Sequence, residues 1–141
     1  MQSEQSDRGE VQIDASGFRL LICDDSAAER GALAQILRGQ GYEVDEAADG
    51  NAGLTLIKSR SYDLLLLDLQ MPVVDGFDVL IYVQRHRPEL PVVVLSGLPP
   101  EEIGEGLDRL PHHELPPLLL KPIDSQQLFQ LIELKLAGEL P

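Results

Sequence analysis

Residues 64–76 read LLLLDLQMPVVDG. Four leucines run directly into an acid, Asp68, and a turn built on Met71-Pro72 and Asp75-Gly76 follows. A short continuous apolar run closed by turn residues predicts a strand buried on both faces. Asp68 is then the first side chain able to leave the core. In an open parallel sheet, ligands bind in the crevice beyond the carboxyl ends of the strands. A lone carboxylate buried there for structure alone would be costly, so Asp68 is the first candidate for chemistry.

The flanking sequence repeats this pattern. Residues 18–23 (FRLLIC) form an apolar run that ends in Asp24-Asp25, and residues 42–47 (YEVDEA) form a shorter strand with partial alternation. Residues 91–95 (PVVVL) deliver Ser96-Gly97, and residues 118–120 (LLL) lead to Lys121-Pro122. Helical spacing fills the intervals. Ser26 and Glu29 have the separation of a capping box, and Leu33, Ile36 and Leu37 continue as an apolar stripe until Gly39 and Gly41 stop the helix. Asp49-Gly50 opens a second helix with Ala52, Leu56 and Ile57 inward. Phe77, Leu80 and Ile81 mark a third, which runs to Arg87 and is ended by Pro88. Residues 99–102 (PPEE) start a fourth, but Gly104 and Gly106 each cost about 1 kcal/mol relative to Ala inside a helix. Pro111 closes it and HHELPP follows as loop, so this is expected to be the least stable element. Asp124 caps the last helix, where Leu128, Leu131, Ile132 and Leu136 recur.

Strands alternating with helices predict an α/β domain with a parallel sheet. Right-handed crossovers then place helices on both faces. Residues 1–17 are polar and without period, a flexible tail or an additional strand, and residues 18–141 make one domain.

Composition narrows the function. In 141 residues, 11 basic and 24 acidic side chains give a net charge of −13. That opposes a nucleic-acid backbone, and no basic stripe is present. The single cysteine, Cys23, excludes an internal disulfide framework, and it reads as a small buried apolar residue. No run is long enough for a membrane span, and the first seventeen residues lack the apolar core of a secretory signal. Cytoplasmic residence is therefore the default expectation. His112-His113-Glu114 has no further ligand at zinc-like spacing, which favours a solvated loop.

Parallel strands would bring Asp24, Asp25, Asp68, Ser96 and Lys121 to one edge of the sheet. Converging carboxylates raise one another's pKa unless a cation intervenes. A hard divalent cation with oxygen ligands, Mg²⁺, fits such a set. An acid as nucleophile, a metal and a lysine to neutralise charge, and a hydroxyl to hold a phosphoryl oxygen together suit phosphoryl transfer.

The ordered set DDS at residues 24–26, DLQMPVVDG from Asp68, SG at Ser96 and KP at Lys121 resembles the receiver domain of two-component response regulators. The resemblance covers about residues 18–136. It implies a flavodoxin-like, doubly wound five-stranded parallel sheet of strand order 2-1-3-4-5. It also implies that Asp68 accepts a phosphoryl group from a histidine kinase or histidine phosphotransfer protein. Asp25 would bind Mg²⁺ directly and Asp24 mostly through water, with Asp68 and the Gln70 carbonyl as further ligands. Ser96 would bind a phosphoryl oxygen, Lys121 would pair with the phosphate, and the Lys121-Pro122 peptide would be cis. Two departures stand out. Leu118 occupies the position of the family's switching aromatic, and HHELPP replaces the usual Gly-Ala stretch. Switching is therefore expected to work by ordering residues 97–117.

Two other readings compete with the phosphoacceptor switch, whose downstream partner would be a protein. One is a phosphorylation-independent interaction module of the same fold. The other is a phosphohydrolase working through an aspartyl phosphate, which Gln70 disfavours, because a general acid would be expected two residues after the nucleophile. The reading is thus a signalling module, not an enzyme. Phe129 and Leu134 on the last helix read either as ordinary surface or as part of a partner face.

Overall fold

The leucines of residues 64–67 lie in the middle strand of a five-stranded sheet. In this computed structural model, residues 14–71, 74–111 and 114–138 are described. The elements run β1 (Arg19–Cys23), α1 (Ala27–Gly39), β2 (Glu43–Ala47), α2 (Gly50–Ser59), β3 (Leu64–Asp68), α3 (Gly76–His86), β4 (Val92–Ser96), a 3₁₀ turn (Pro100–Glu102), α4 (Glu105–Asp108), β5 (Leu118–Leu120) and α5 (Ser125–Leu136). All pairings are parallel and the order is β2-β1-β3-β4-β5, as expected.

Strand alternation sorts the core into two layers. Leu21, Cys23, Leu65, Leu67, Val92 and Val94 face α2 and α3. Leu20, Ile22, Leu64, Leu66, Val93 and Leu95 face α1 and α5, where they meet Leu33, Leu37, Leu128 and Ile132. Each leucine of β3 is wholly buried, and each such side chain contributes roughly 1.5–3 kcal/mol. Together the four offset the burial of the carboxylate that ends the strand, a cost of several kcal/mol.

The sequence reading needs adjustment in four places. Ile36, expected inward, is 37% exposed, and Ala34 takes its place in the core beside Leu33 and Leu37. Asp75 does more than turn the chain. It caps α3 in a full capping box with Asp78. The capping box expected at Ser26 is only half made. Ser26 Oγ accepts the Glu29 N–H at 3.2 Å, while the Ser26 N–H donates to Asp24 Oδ1 at 2.9 Å. The fourth helix contracts to one 3₁₀ turn and one α turn because Gly104 takes φ 65°, outside the helical region. Of the tail expected over residues 1–17, residues 1–13 lie outside the described residues, and Ala15 packs against the α1/α5 layer.

Candidate functional site

The parallel register brings the ends of all five strands to one edge: Cys23 pairs with Ala47 and Leu67, Asp68 with Leu95, and Ser96 with Leu120. Asp24 leaves β1 fully buried, Asp25 is exposed, and Asp68 ends β3 at 2% exposure. The Arg30 guanidinium fixes the Asp24 peptide by donating to its carbonyl at 2.9 Å. The Gln70 N–H donates to Asp68 Oδ1 at 2.9 Å and orients that carboxylate. Behind it, α3 starts against the strand end so closely that a Cβ on Gly76 would overlap the Asp68 carbonyl oxygen and Leu69 Cα.

One oxygen each from Asp24, Asp25 and Asp68 lies within 4.8 Å of the others. The donor set is carboxylate only, with no imidazole or thiolate, which is the chemistry of a hard cation such as Mg²⁺.

Lys121 reaches this cluster from the end of β5, and its peptide to Pro122 is cis, as the resemblance implied. Its Nζ lies 3.1 Å from Asp68 Oδ2, 3.4 Å from Asp24 Oδ2 and 2.6 Å from Glu29 Oε1. Burial works against its charge, but the hydrogen bond to Glu29 and the nearby Asp68 and Asp24 outweigh it and hold its pKa above the ordinary lysine value. Burial raises the Asp68 carboxyl above its usual value, although the Gln70 amide and Lys121 oppose the shift. Asp68 therefore takes up a proton more readily than a solvated carboxyl does.

Ser96 is 1% exposed at the end of β4. Its hydroxyl donates to the Leu98 carbonyl at 2.8 Å and accepts the Leu98 N–H at 2.9 Å, so it is engaged in its own loop. Leu118 is half-buried and packs against the α2/α3 layer. Beside Lys121 lies a pocket of about 270 Å³, lined by Leu33, Ile36, Pro122 and Ile123.

The family model for the response regulator receiver domain matches residues 20–133. The chain belongs to that family. This receiver is 33% identical over 129 residues to the transcriptional regulatory protein TcrA of Mycobacterium tuberculosis, covering 89% of this chain and 49% of that one. It is 48% identical over 82 residues to protein-glutamate methylesterase/protein-glutamine glutaminase 6 of Anaeromyxobacter dehalogenans, covering 57% of this chain and 23% of that one. The receiver therefore spans half or less of the length of these relatives. Among solved structures, it is similar to a CheY-like response regulator receiver domain protein from Methanospirillum hungatei. The TM-score is 0.77 and the identity 28%, over 86% of this chain and 95% of that one. The fold is thus flavodoxin-like, and the family is generally a signalling module without enzymatic activity, supplied with phosphoryl groups by histidine kinases.

The five residues expected at the strand ends, Asp24, Asp25, Asp68, Ser96 and Lys121, stand at one edge of this receiver, with Ser96 turned into its loop. The sequence reading missed Glu29, assigning it to the helix cap. The available signal was its place four residues after Asp25, in the first turn of α1, beside the same strand ends. It also missed Arg109, which pairs with Asp78 and lies 3.6 Å from Asp75, tying the end of α4 to the start of α3. Cys23 is buried, and burial pushes its thiol up to about 12, as suits an inert packing residue. His112 and His113 lie outside the described residues, and Glu114 is exposed. Phe129 packs against the α1/α5 layer, while Leu134 is half-buried. No described helix is long and apolar enough to cross a membrane.

Proposed function

We propose that this receiver accepts a phosphoryl group on Asp68 from the phosphohistidine of a histidine kinase or phosphotransfer protein, and that the modified state changes which protein partner it binds. The observation that carries this is the Lys121 ammonium 3.1 Å from Asp68 Oδ2, within a cluster of three carboxylates. An Asp68 oxygen attacks phosphorus, the bond from phosphorus to the donor's ring nitrogen breaks, and the nitrogen keeps the electron pair and is protonated. Lys121 balances the charge on the transferred group. Ser96 gives up the Leu98 carbonyl and donates to a phosphoryl oxygen, which draws the loop after β4 toward the site. Asp24, Asp25, Asp68 and the Gln70 carbonyl would hold Mg²⁺, which supplies charge neutralisation for the phosphoryl oxygens.

A small acyl phosphate with Mg²⁺ tests the reading. The wild-type chain should incorporate base-labile phosphate, and Asp68→Asn should incorporate none while keeping its fold. Equal labelling of that variant would remove Asp68 from the role. No labelling of the wild type would leave the phosphorylation-independent module, a reading favoured by the Ser96 hydroxyl being already satisfied within its loop.

A further inference from the structure

The Lys121 ammonium has three N–H donors, and three carboxylates receive them. The shortest contact, 2.6 Å, goes to Glu29, the one acid of the three that is outside the metal-binding trio. Glu29 is free to make it because Asp24 Oδ1 already takes the Ser26 amide. That amide is the group a Glu at this helix position would otherwise bind.

A saturated ammonium can take a phosphoryl oxygen only by giving up an acceptor. Asp24 is fully buried, so its Oδ2 would lose the Lys121 donor where water cannot replace it, and Asp68 is the attachment point. The Glu29 side chain is 54% exposed, so water can solvate its carboxylate once it swings away.

We propose that Glu29 is a built-in competitor for Lys121. It holds the ammonium in the unmodified receiver and must release it when a phosphoryl group arrives, and so it limits how readily the site takes one. This rests on the reading of Asp68 as phosphoacceptor.

The test is binding of fluoroberyllate with Mg²⁺, followed by ¹⁹F NMR, with wild type, Glu29→Gln, Glu29→Asp and the distant control Glu43→Gln. An exposed pair of this kind sets the scale, so Glu29→Gln should tighten binding by about two- to fivefold. Glu29→Asp keeps the charge but is one methylene too short for the contact, and it should tighten binding as well. Glu43→Gln, which alters the surface acid paired with Arg19, should match wild type. Equal or weaker binding by Glu29→Gln overturns the competitor. A gain in Glu29→Gln that is absent in Glu29→Asp also overturns it, since long-range repulsion would then be the cause. Failure of the wild-type chain to bind fluoroberyllate overturns the phosphoacceptor reading, and the competitor with it. Thermal midpoints recorded alongside separate all of these from a loss of fold.

Discussion

Lys121 Nζ stands 3.1 Å from Asp68 Oδ2, and the two residues come from strands that are not neighbours in the sheet. Lys121→Met would leave Asp24 and Asp68 facing each other without a counter-charge. The side chain is 21% exposed, so the loss falls below that of a fully buried pair, at about 2–3 kcal/mol. Chemical denaturation should show this loss, and Asp68→Asn in the same chain should restore part of it. A double variant no more stable than Lys121→Met alone would mean that the pair is not coupled.

The raised Asp68 pKa makes a pH-dependent statement about stability. A carboxyl whose folded value exceeds its unfolded one favours the folded state when protonated. That contribution is fully present below the ordinary value of 3.8 and is lost as pH rises through the raised folded value. At pH 7 Asp68→Asn should therefore unfold at a higher temperature than wild type. The gap should close as pH falls below 3.8. A gap independent of pH would assign the effect to something other than this ionisation.

Asp25 is exposed, and its substitution should barely touch the fold. Asp25→Asn should change stability by no more than about 0.5 kcal/mol. In the proposed metal site, where Asp25 would ligate Mg²⁺ directly, the substitution should cost more affinity than the roughly 10–100-fold typical of outer-sphere partners. Titration calorimetry measures the affinity, and an unchanged value would remove Asp25 from the metal site.

Arg109 ties the contracted α4 segment to the capping box of α3, with the Phe77 ring against Gly106 and Leu110 buried beneath. Because the Arg109 side chain is 43% exposed, Arg109→Ala should cost no more than about 1 kcal/mol globally. Its local effect should be larger. Amide exchange should quicken over residues 100–110 while α5 stays protected. In the wild type, fluoroberyllate should slow exchange over the same residues. Unaltered exchange in the variant would show that Arg109 is not the tie.

The parallel strands and the strand-end site were legible because strands covered on both faces read as unbroken apolar runs, whereas the strand order came only from the family resemblance. Whatever polar residue follows such a run must emerge at the edge. Other features were set by partners distant in sequence. Glu29 has the spacing of a cap, but a lysine 92 positions later competes for it. Ile36 fits the helical stripe, yet Ala34 takes the buried place beside Leu33 and Leu37, and Ile36 lines the pocket with Pro122 and Ile123. The glycines of α4 announced a weak helix, but not that Gly104 would break it in two.

The contact between Asp24 and Lys121 joins residues 97 positions apart. Closing a loop over such a span carries an entropy cost that must be offset by contacts that depend on the closure. The groups that would hold the metal and the phosphoryl group are thus assembled only when the first and last strands share one sheet. A nascent or partly unfolded chain holds the acids without the ammonium, so the site is absent until the sheet is complete. Competence at this site is in effect a readout of complete folding.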